Sequence, residues 1–364
     1  MGYEVDFLAV GEKSSGDAIC VRWGNLHGTR EEQKVIVIDA GYSGTGQEVV
    51  DYLEKYYKTK KIDLLVSTHP DADHVGGLAT ILENADVKEF WIHQPWEHNA
   101  NLAAEFADGR ITDASIAERM KENLQKAYDA VKIAKRKNIE IHEPFQGKTW
   151  DSGNLTVVGP TLQYYETLIP DFARMPARAE KRAGLESFSS NFDSLLEKAK
   201  RMISHIAEWF KDENLDDNDT TSAQNNSSVI MKLEVENKTL LFTGDAGITA
   251  LDYALPYIDT TRLKFLQVPH HGSRRNIGPE ILNKLVGGIV NEGETRGITA
   301  FISCAPGSTK HPHQAVINAL TRRGVRVVTT EGKHKHHYLD APTRENWITA
   351  DPREYLKEYQ TEES

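Results

Sequence analysis

Residues 68–77 read Thr68-His69-Pro70-Asp71-Ala72-Asp73-His74-Val75-Gly76-Gly77. Two imidazoles and two carboxylates fall within six residues. The stretch follows an apolar run, DLLVSTH (63–69), and leads into HVGGLATILEN, a glycine-opened helical pattern. It is therefore a strand end turning into a helix, the place where α/β sheets expose their ligand-binding edge. Imidazole and carboxylate are donors that divalent Zn, Mn or Fe accept. A turn that only capped a helix would not need two His and two Asp between an apolar strand and Gly-Gly.

Outward from that turn, strands alternate with helices. KVIVIDAG (34–41) is a β-branched run ending in Asp39, and VKEFWIHQP (87–95) is a third buried strand after DLLVSTH. YEVDFLAV (3–10) and DAICVRWG (17–24) predict an antiparallel pair around the GEKSSG turn. GQEVVDYLEKYY (46–57) has helical spacing. Residues 97–138 and 175–213 are charged and Ala-rich and read as surface helices, with a pair of strands between them at 139–161. Strand chemistry then resumes in a hairpin, 227–237 and 238–247, and in LKFLQVPHHGS (263–273), ITAFISCAPGS (298–308) and VRVVTTEG (325–332). Helical patterns at 279–286 and 312–323 separate the last three. The implied architecture is a layered α/β domain over 1–342, with a charged surface tail at 343–364.

Each later strand also ends in chemistry. Thr243-Gly244-Asp245-Ala246-Gly247 offers a carboxylate able to bridge two metals, and Pro269-His270-His271-Gly272-Ser273 offers two imidazoles. Adjacent histidines diverge, so one is expected to be a ligand and the other to face substrate. Gly307-Ser308-Thr309-Lys310-His311-Pro312-His313 follows the next strand. Arg274, Arg275 and Lys310 sit in these loops as candidates for phosphate contact. By contrast, His93, His98, His142 and His205 lack ligand company, and His334, His336 and His337 read as an exposed turn. Cys304 and Trp91 read as core residues.

Taken together, HPDADHVGG, NNSSV, LLFTGDAG, VPHHGS and SCAPGSTKHPH resemble the metallo-β-lactamase fold. More narrowly, they resemble the hydrolase domain of ComEC-type competence proteins and its soluble relatives. The resemblance covers about residues 3–95 and 139–340. It implies a four-layered αβ/βα sandwich with helical insertions at about 97–138 and 175–213, and a two-metal site along one sheet edge. His69 and Asp71 match one metal site, Asp73 and His74 the other. Asp245 matches the bridging carboxylate, and His271 or His270 the later histidine. Asp39 matches the Asp that braces the metal-binding loop. Two departures from the broader family stand out: Asp71 replaces a His, and Gln224-Asn225-Asn226-Ser227-Ser228 stands where a His precedes the hairpin. They move the ligand set towards oxygen, and so the expected ions from Zn towards Mn or Mg.

The implied activity is a phosphodiesterase or nuclease acting on DNA or RNA through a metal-activated hydroxide. Asp73, His270, His271 and His311 are the expected catalytic groups. Ser273, Asn226, Arg274, Arg275 and Lys310 are the expected substrate contacts. The alternatives are a hydrolase of a small phosphodiester, phosphorylcholine ester or lactone, and a metal-binding regulatory module without turnover.

Composition sets outer bounds. In 364 residues, 39% hydrophobic and 27% charged content is too rich in core formers for a disordered chain. No apolar run approaches the roughly 20 residues that span a bilayer. The start has no basic and apolar leader, and two cysteines make no disulfide framework, so a cytoplasmic protein without membrane insertion is expected. Composition does not decide between a monomer, a homo-oligomer and a chain with a partner protein. The net charge of −11 is uneven: residues 262–337 hold twelve Lys/Arg against four acids. The basic surplus thus coincides with the HHGS and KHPH loops, which suits a polyanionic substrate.

Overall fold

Alternating burial decides where each strand face points. In β1 (Gly2–Phe7), Tyr3, Val5 and Phe7 enter one core while Glu4 and Asp6 point the other way. In β3 (Gln33–Ile38), which follows β2 (Ile19–Gly24), Ile36 and Ile38 share the core of Tyr3, and Val35 and Val37 join a second one. The first half continues with α1 (Thr45–Tyr52), β4 (Lys61–Ile62), β5 (Leu64–Val66), α2 (Ala72–Val75) and α3 (Leu78–Asn84). It closes with β6 (Asp86–Val87), β7 (Glu89–Trp91), α4 (Asp113–Asn123), α5 (Gln125–Arg136) and β8 (Glu140–His142). The second half opens with β9 (Thr149–Trp150), β10 (Leu155–Gly159), α6 (Leu162–Leu168), α7 (Ala223–Asn226) and β11 (Ile230–Val235). Then come β12 (Lys238–Phe242), α8 (Ile248–Ala254), β13 (Leu263–Gln267), α9 (Pro279–Val286) and β14 (Ile298–Ile302). It ends with α10 (Gln314–Arg322), β15 (Val325–Thr329) and β16 (Lys335–Leu339). This computed structural model describes residues 1–179 and 213–357.

The strands form two seven-stranded sheets, ordered β16-β1-β2-β3-β5-β7-β8 and β15-β14-β13-β12-β11-β10-β9. In each sheet one half is antiparallel and the other parallel, the parallel strands being β3, β5, β7 and β8 in one and β12 to β15 in the other. The inner faces meet over Phe7, Trp23, Trp91, Phe242, Phe265 and Phe301. Helices α1, α3 and α5 cover the outer face of the first sheet through residues such as Val49, Leu78, Ile81 and Val131. Helices α8, α9 and α10 cover the second through Leu251, Ile281, Leu285 and Leu320. The result is the expected four-layered αβ/βα sandwich, with Trp91 and Cys304 buried in it.

Four expectations change. Residues 139–161 do not pair with each other: β8 extends the first sheet parallel to β7, while β9 and β10 belong to the second. The block at 97–138 is not a wholly surface feature. Its α4 and α5 make the crossover that a parallel β7–β8 pair requires, and they bury Ile116, Met120, Ala130, Val131 and Ala134. The block at 175–213 lies almost entirely outside the described residues, as does His205. His336 and His337 form no exposed turn, because β16 pairs antiparallel with β1 and His337 packs on Phe265 at 5.0 Å between ring centroids; His334, just before β16, accepts from the Ala9 N–H. The expected surface tail turns back on the sandwich. Arg344 is buried on Glu4 and Asp6, the Arg353 N–H donates to the Val327 carbonyl, and Leu356 exchanges hydrogen bonds with the Asn318 side chain.

Candidate metal centre

The ends of β3, β5, β12, β13 and β14 open on one edge of the sandwich, and their loops carry the chemistry. Asp39, directly after β3, adopts a left-handed backbone (φ 57°), as do His270 (47°) and His271 (55°) after β13. Such conformations cost about 1–3 kcal/mol each in non-glycine residues and concentrate at functional sites. Asp39 accepts from the Thr68 N–H at 2.8 Å, the Thr68 hydroxyl at 2.6 Å and His74 Nδ1 at 2.7 Å. Two glycines let the loops close. A Cβ at Gly77 would sit 2.3 Å from the Ala40 carbonyl, and Gly244 combines φ 51° with a Thr68 contact at 2.9 Å.

The hydrogen bonds fix the tautomer of four histidines. Thr68 Oγ1 spends its proton on Asp39, so it accepts from His69 Nδ1 at 3.0 Å. His74 Nδ1 donates to Asp39, and His271 Nδ1 donates to the Ser303 carbonyl at 3.1 Å. His270 Nδ1 donates to Asn276 Oδ1 at 2.9 Å, an orientation set because Asn276 Nδ2 donates to the Asp245 carbonyl at 2.7 Å. Every Nε2 is therefore the nitrogen left to bind an ion, and it is aimed inward. His69 Nε2 lies 3.7 Å from Asp245 Oδ2 and 3.8 Å from Asp71 Oδ2. His74 and His270 Nε2 lie 3.4 and 3.7 Å from Asp245 Oδ2, and His271 Nε2 lies 3.5 Å from Asp73 Oδ2.

A divalent cation fits this donor set. The buried Nε2 atoms of His69, His74 and His271 and the Oδ1 of Asp245 have no partner among the described residues, and each is the lone pair a cation would take. Ligand atoms of His69, His74 and Asp245 lie within 4.8 Å of one another, as do those of Asp73, His74 and His271. The electrostatics agree. Burial opposes a charge on Asp73, but His271 and His74 outweigh it and hold the carboxyl well below its ordinary range. Asp245 is likewise buried and is held down by His74 and His270. Burial would lower His271, yet Asp73 and Asp245 raise it to about 9. These carboxylates thus attract positive charge, and a metal ion would displace the protons that balance them.

Of the residues expected from sequence, His69, Asp71, Asp73, His74, Asp245, His270 and His271 converge, with Asp39 behind them. His311 stands beside them, 5.4 Å from the His270 ring, and burial together with His270 lowers it to about 4, so it is neutral at pH 7. Asn226 is a correction. Its amide accepts from the Gly247 N–H and donates to Asp219, so it braces the Asp245 loop instead of facing substrate. Gln224 takes the nearer position, donating to Asp71 Oδ1 at 2.7 Å. Arg274, Arg275, Lys310 and Ser273 line a neighbouring cleft. His93, His98 and His142 stay apart, packed on Phe145 and Tyr165 or paired with Glu143, Glu166 and Glu140.

Three residues escaped the sequence reading. Asp17 is buried with Oδ2 on Gln267 Nε2 at 3.0 Å and Oδ1 unpartnered; burial pushes its carboxyl up against the pull of His271 and His74. Gln267 Oε1 in turn accepts from the Thr243 and Gly244 N–H groups, which fixes the loop of Asp245. A carboxylate opening an apolar run, and a glutamine closing one, were the available signals. Asn276 gave none.

With fold and site in place, the chain is a metallo-β-lactamase-fold protein, with the metallo-hydrolase-like architecture of that class. The profile of the Metallo-beta-lactamase superfamily matches residues 29–204. Among curated proteins the chain is similar to ComE operon protein 3 of Bacillus subtilis (strain 168), 28% identical over 111 residues. That match covers 30% of this chain and 13% of the length of the relative. Among solved structures, the metallo-β-lactamase fold protein YhfI of Bacillus subtilis overlaps 93% of this chain and 99% of its own, at 10% identity and a TM-score of 0.41. Igni18, a metallo hydrolase from Ignicoccus hospitalis KIN4/I, overlaps 92% and 98%, at 13% identity and a TM-score of 0.40. No helix among the described residues is long and apolar enough to cross a membrane.

Proposed function

We propose that this chain is a metal-dependent phosphodiesterase acting on DNA or RNA. The observation that carries the reading is the convergence of four tautomer-fixed Nε2 atoms on Asp71, Asp73 and Asp245, beside loops rich in Arg and Lys. His69, Asp71 and Asp245 would hold one divalent ion, and Asp73, His74, His271 and Asp245 a second. The mixed oxygen and nitrogen donors suit Mn or Zn, with Mg a weaker fit. Ions bound there supply Lewis acidity and bring the pKa of water close to neutral. The protein's own groups do the rest. Asp39, Thr68 and the Ser303 carbonyl hold the ligand rings in register, so little reorganisation accompanies the reaction. His311, neutral and with a buried Nδ1 that has no partner among the described residues, is suited to hold a phosphate oxygen by a hydrogen bond from its single N–H. His270 stands between it and Asp245.

The test is the metal content of the purified protein, measured with cleavage of single- and double-stranded DNA and RNA in Mn and in Zn. Bound divalent metal is expected, with cleavage that weakens steeply as salt rises and falls to background in Asp73→Ala/Asp245→Ala. Hydrolysis of a chromogenic diester without cleavage of any nucleic acid would remove the polymer substrate. Full activity of the double variant would refute metal-dependent hydrolysis itself.

A further inference from the structure

A cleft of 530 Å³ opens beside the metal-ligating cluster, within the size range of small-molecule sites. Its walls carry Arg274, Arg275 and Lys310 and the hydroxyl residues Ser273 and Thr309, and among the described residues no carboxylate. In a chain of net charge −11, a wall free of acids is itself a signal. Buried arginines elsewhere are neutralised: Arg22 and Arg344 by Glu4, and Arg323 by Glu213. Arg274 is half-buried, yet neither it nor Lys310 makes an ion pair among the described residues. The first turn of the nine-residue α10, capped by His313, also faces the cleft and adds the partial positive charge of a helix N-terminus.

The cleft adjoins the converging donor set and shares only His270 with it. His270 and His311 form its boundary wall, whereas none of His69, Asp71, Asp73, His74, Asp245 or His271 lines it. A diester held on the cluster therefore leaves the cleft free for a different anionic group of the same molecule. We propose that this group is a terminal phosphate monoester, so that the substrate is a strand or dinucleotide ending in phosphate. The inference rests on the phosphodiesterase reading above. A monoester carries up to two charges where an internal diester carries one, which matches two unpaired cations, and the guanidinium fork of Arg274 suits two phosphate oxygens.

The experiment compares short oligodeoxynucleotides bearing a 5′-phosphate, a 3′-phosphate or only hydroxyl ends, cleaved by the Mn-loaded protein. One phosphorylated end is expected to raise kcat/KM at least about tenfold, mainly through KM, and to identify the strand polarity. In Arg274→Gln/Lys310→Gln, with its fold verified by circular dichroism, that ratio should fall to near one. Equal kcat/KM for all three ends, or a preference that survives the double variant, would overturn the proposal. Calorimetric titration of EDTA-treated protein with deoxyadenosine 5′- and 3′-monophosphate separates the two readings. Should no phosphodiester turn over, the phosphodiesterase reading fails. Nucleotide binding that is lost in the double variant would still uphold the cleft, and binding absent from both proteins or equal in both would refute it.

Discussion

Asp39 does not itself belong to the converging donor set, yet it decides the direction of two of its imidazole rings. It accepts a hydrogen bond from His74 Nδ1 directly, and it orients His69 Nδ1 through the Thr68 hydroxyl, which accepts from that nitrogen and donates to Asp39. An Asn there would set its NH2 group either against the Thr68 backbone N–H, in the place of Oδ1, or against the Thr68 hydroxyl and the imidazole N–H, in the place of Oδ2, all of which already donate. Asp39→Asn is therefore expected to weaken divalent-metal affinity about 10- to 100-fold while keeping the fold, as read by competition with a fluorescent chelator and by far-UV circular dichroism. Unchanged affinity would dismiss the bracing role. At this scale the site was legible where donors cluster along the chain, as in His69 to His74, or recur at successive strand ends, as at Asp245 and His271. It was illegible where a residue acts through a distant backbone contact. Asn276 holds His270 and the Asp245 carbonyl, but an asparagine in a basic loop looks like any turn residue. Asn226 failed for the reverse reason: its position in the motif suggested a substrate contact, and packing committed both ends of its amide to Gly247 and Asp219.

Among the elements, β1 and the returning segment at 343–357 form a unit that composition conceals. Glu4 and Asp6 face outward from β1 into a buried layer, where Arg344 bonds both of them, Arg22 and His336 bond Glu4, and Tyr52 and Tyr57 donate to Asp6. The acids were visible in the sequence, but their partner lies more than 330 residues away in a stretch read as surface tail. Arg344→Ala would leave two buried carboxylates short of a cation, and is expected to cost about 3–5 kcal/mol in urea unfolding. A value near zero would mean that the segment only lies over the sheet. The pH dependence has a definite sign. Burial opposes ionisation of Glu4, but His336, Arg22 and Arg344 outweigh it and bring the carboxyl down from 4.5 to about 2. Its folded pKa is below the unfolded one, so its stabilisation is complete above about pH 4.5 and disappears as the pH falls towards 2. Urea midpoints should drop across that window in the natural protein, and less steeply in Arg344→Ala.

For the whole molecule, the site is a joint between two sheets. The first contributes Asp39 and His69 to His74, and the second contributes Asp245, His270 and His271. The periodicity of the strands revealed both halves but not their registration, which depends on contacts across the interface such as Gln267 to Asp17. Phe265 lies in that interface, two residues before Gln267, with its ring 5.8 Å from Phe7 and 5.2 Å from Phe301. Leu285 is equally buried but belongs to the outer layer, on the inward face of α9. Both Phe265→Ala and Leu285→Ala should destabilise the fold, by about 3–5 and 2–5 kcal/mol respectively. Only the first should loosen the alignment of the two ligand sets. Metal affinity, titrated well below the melting temperature, is thus expected to fall about tenfold or more in Phe265→Ala and to stay unchanged in Leu285→Ala. The same difference should appear in the metal-induced rise in Tm. Saturating metal at 100 times Kd adds about 2.7 kcal/mol to the folded state, and that gain should shrink in Phe265→Ala at equal metal concentration while persisting in Leu285→Ala. Equal losses of affinity in both variants would mean that metal binding follows global stability, and that the interface has no separate part in aligning the site.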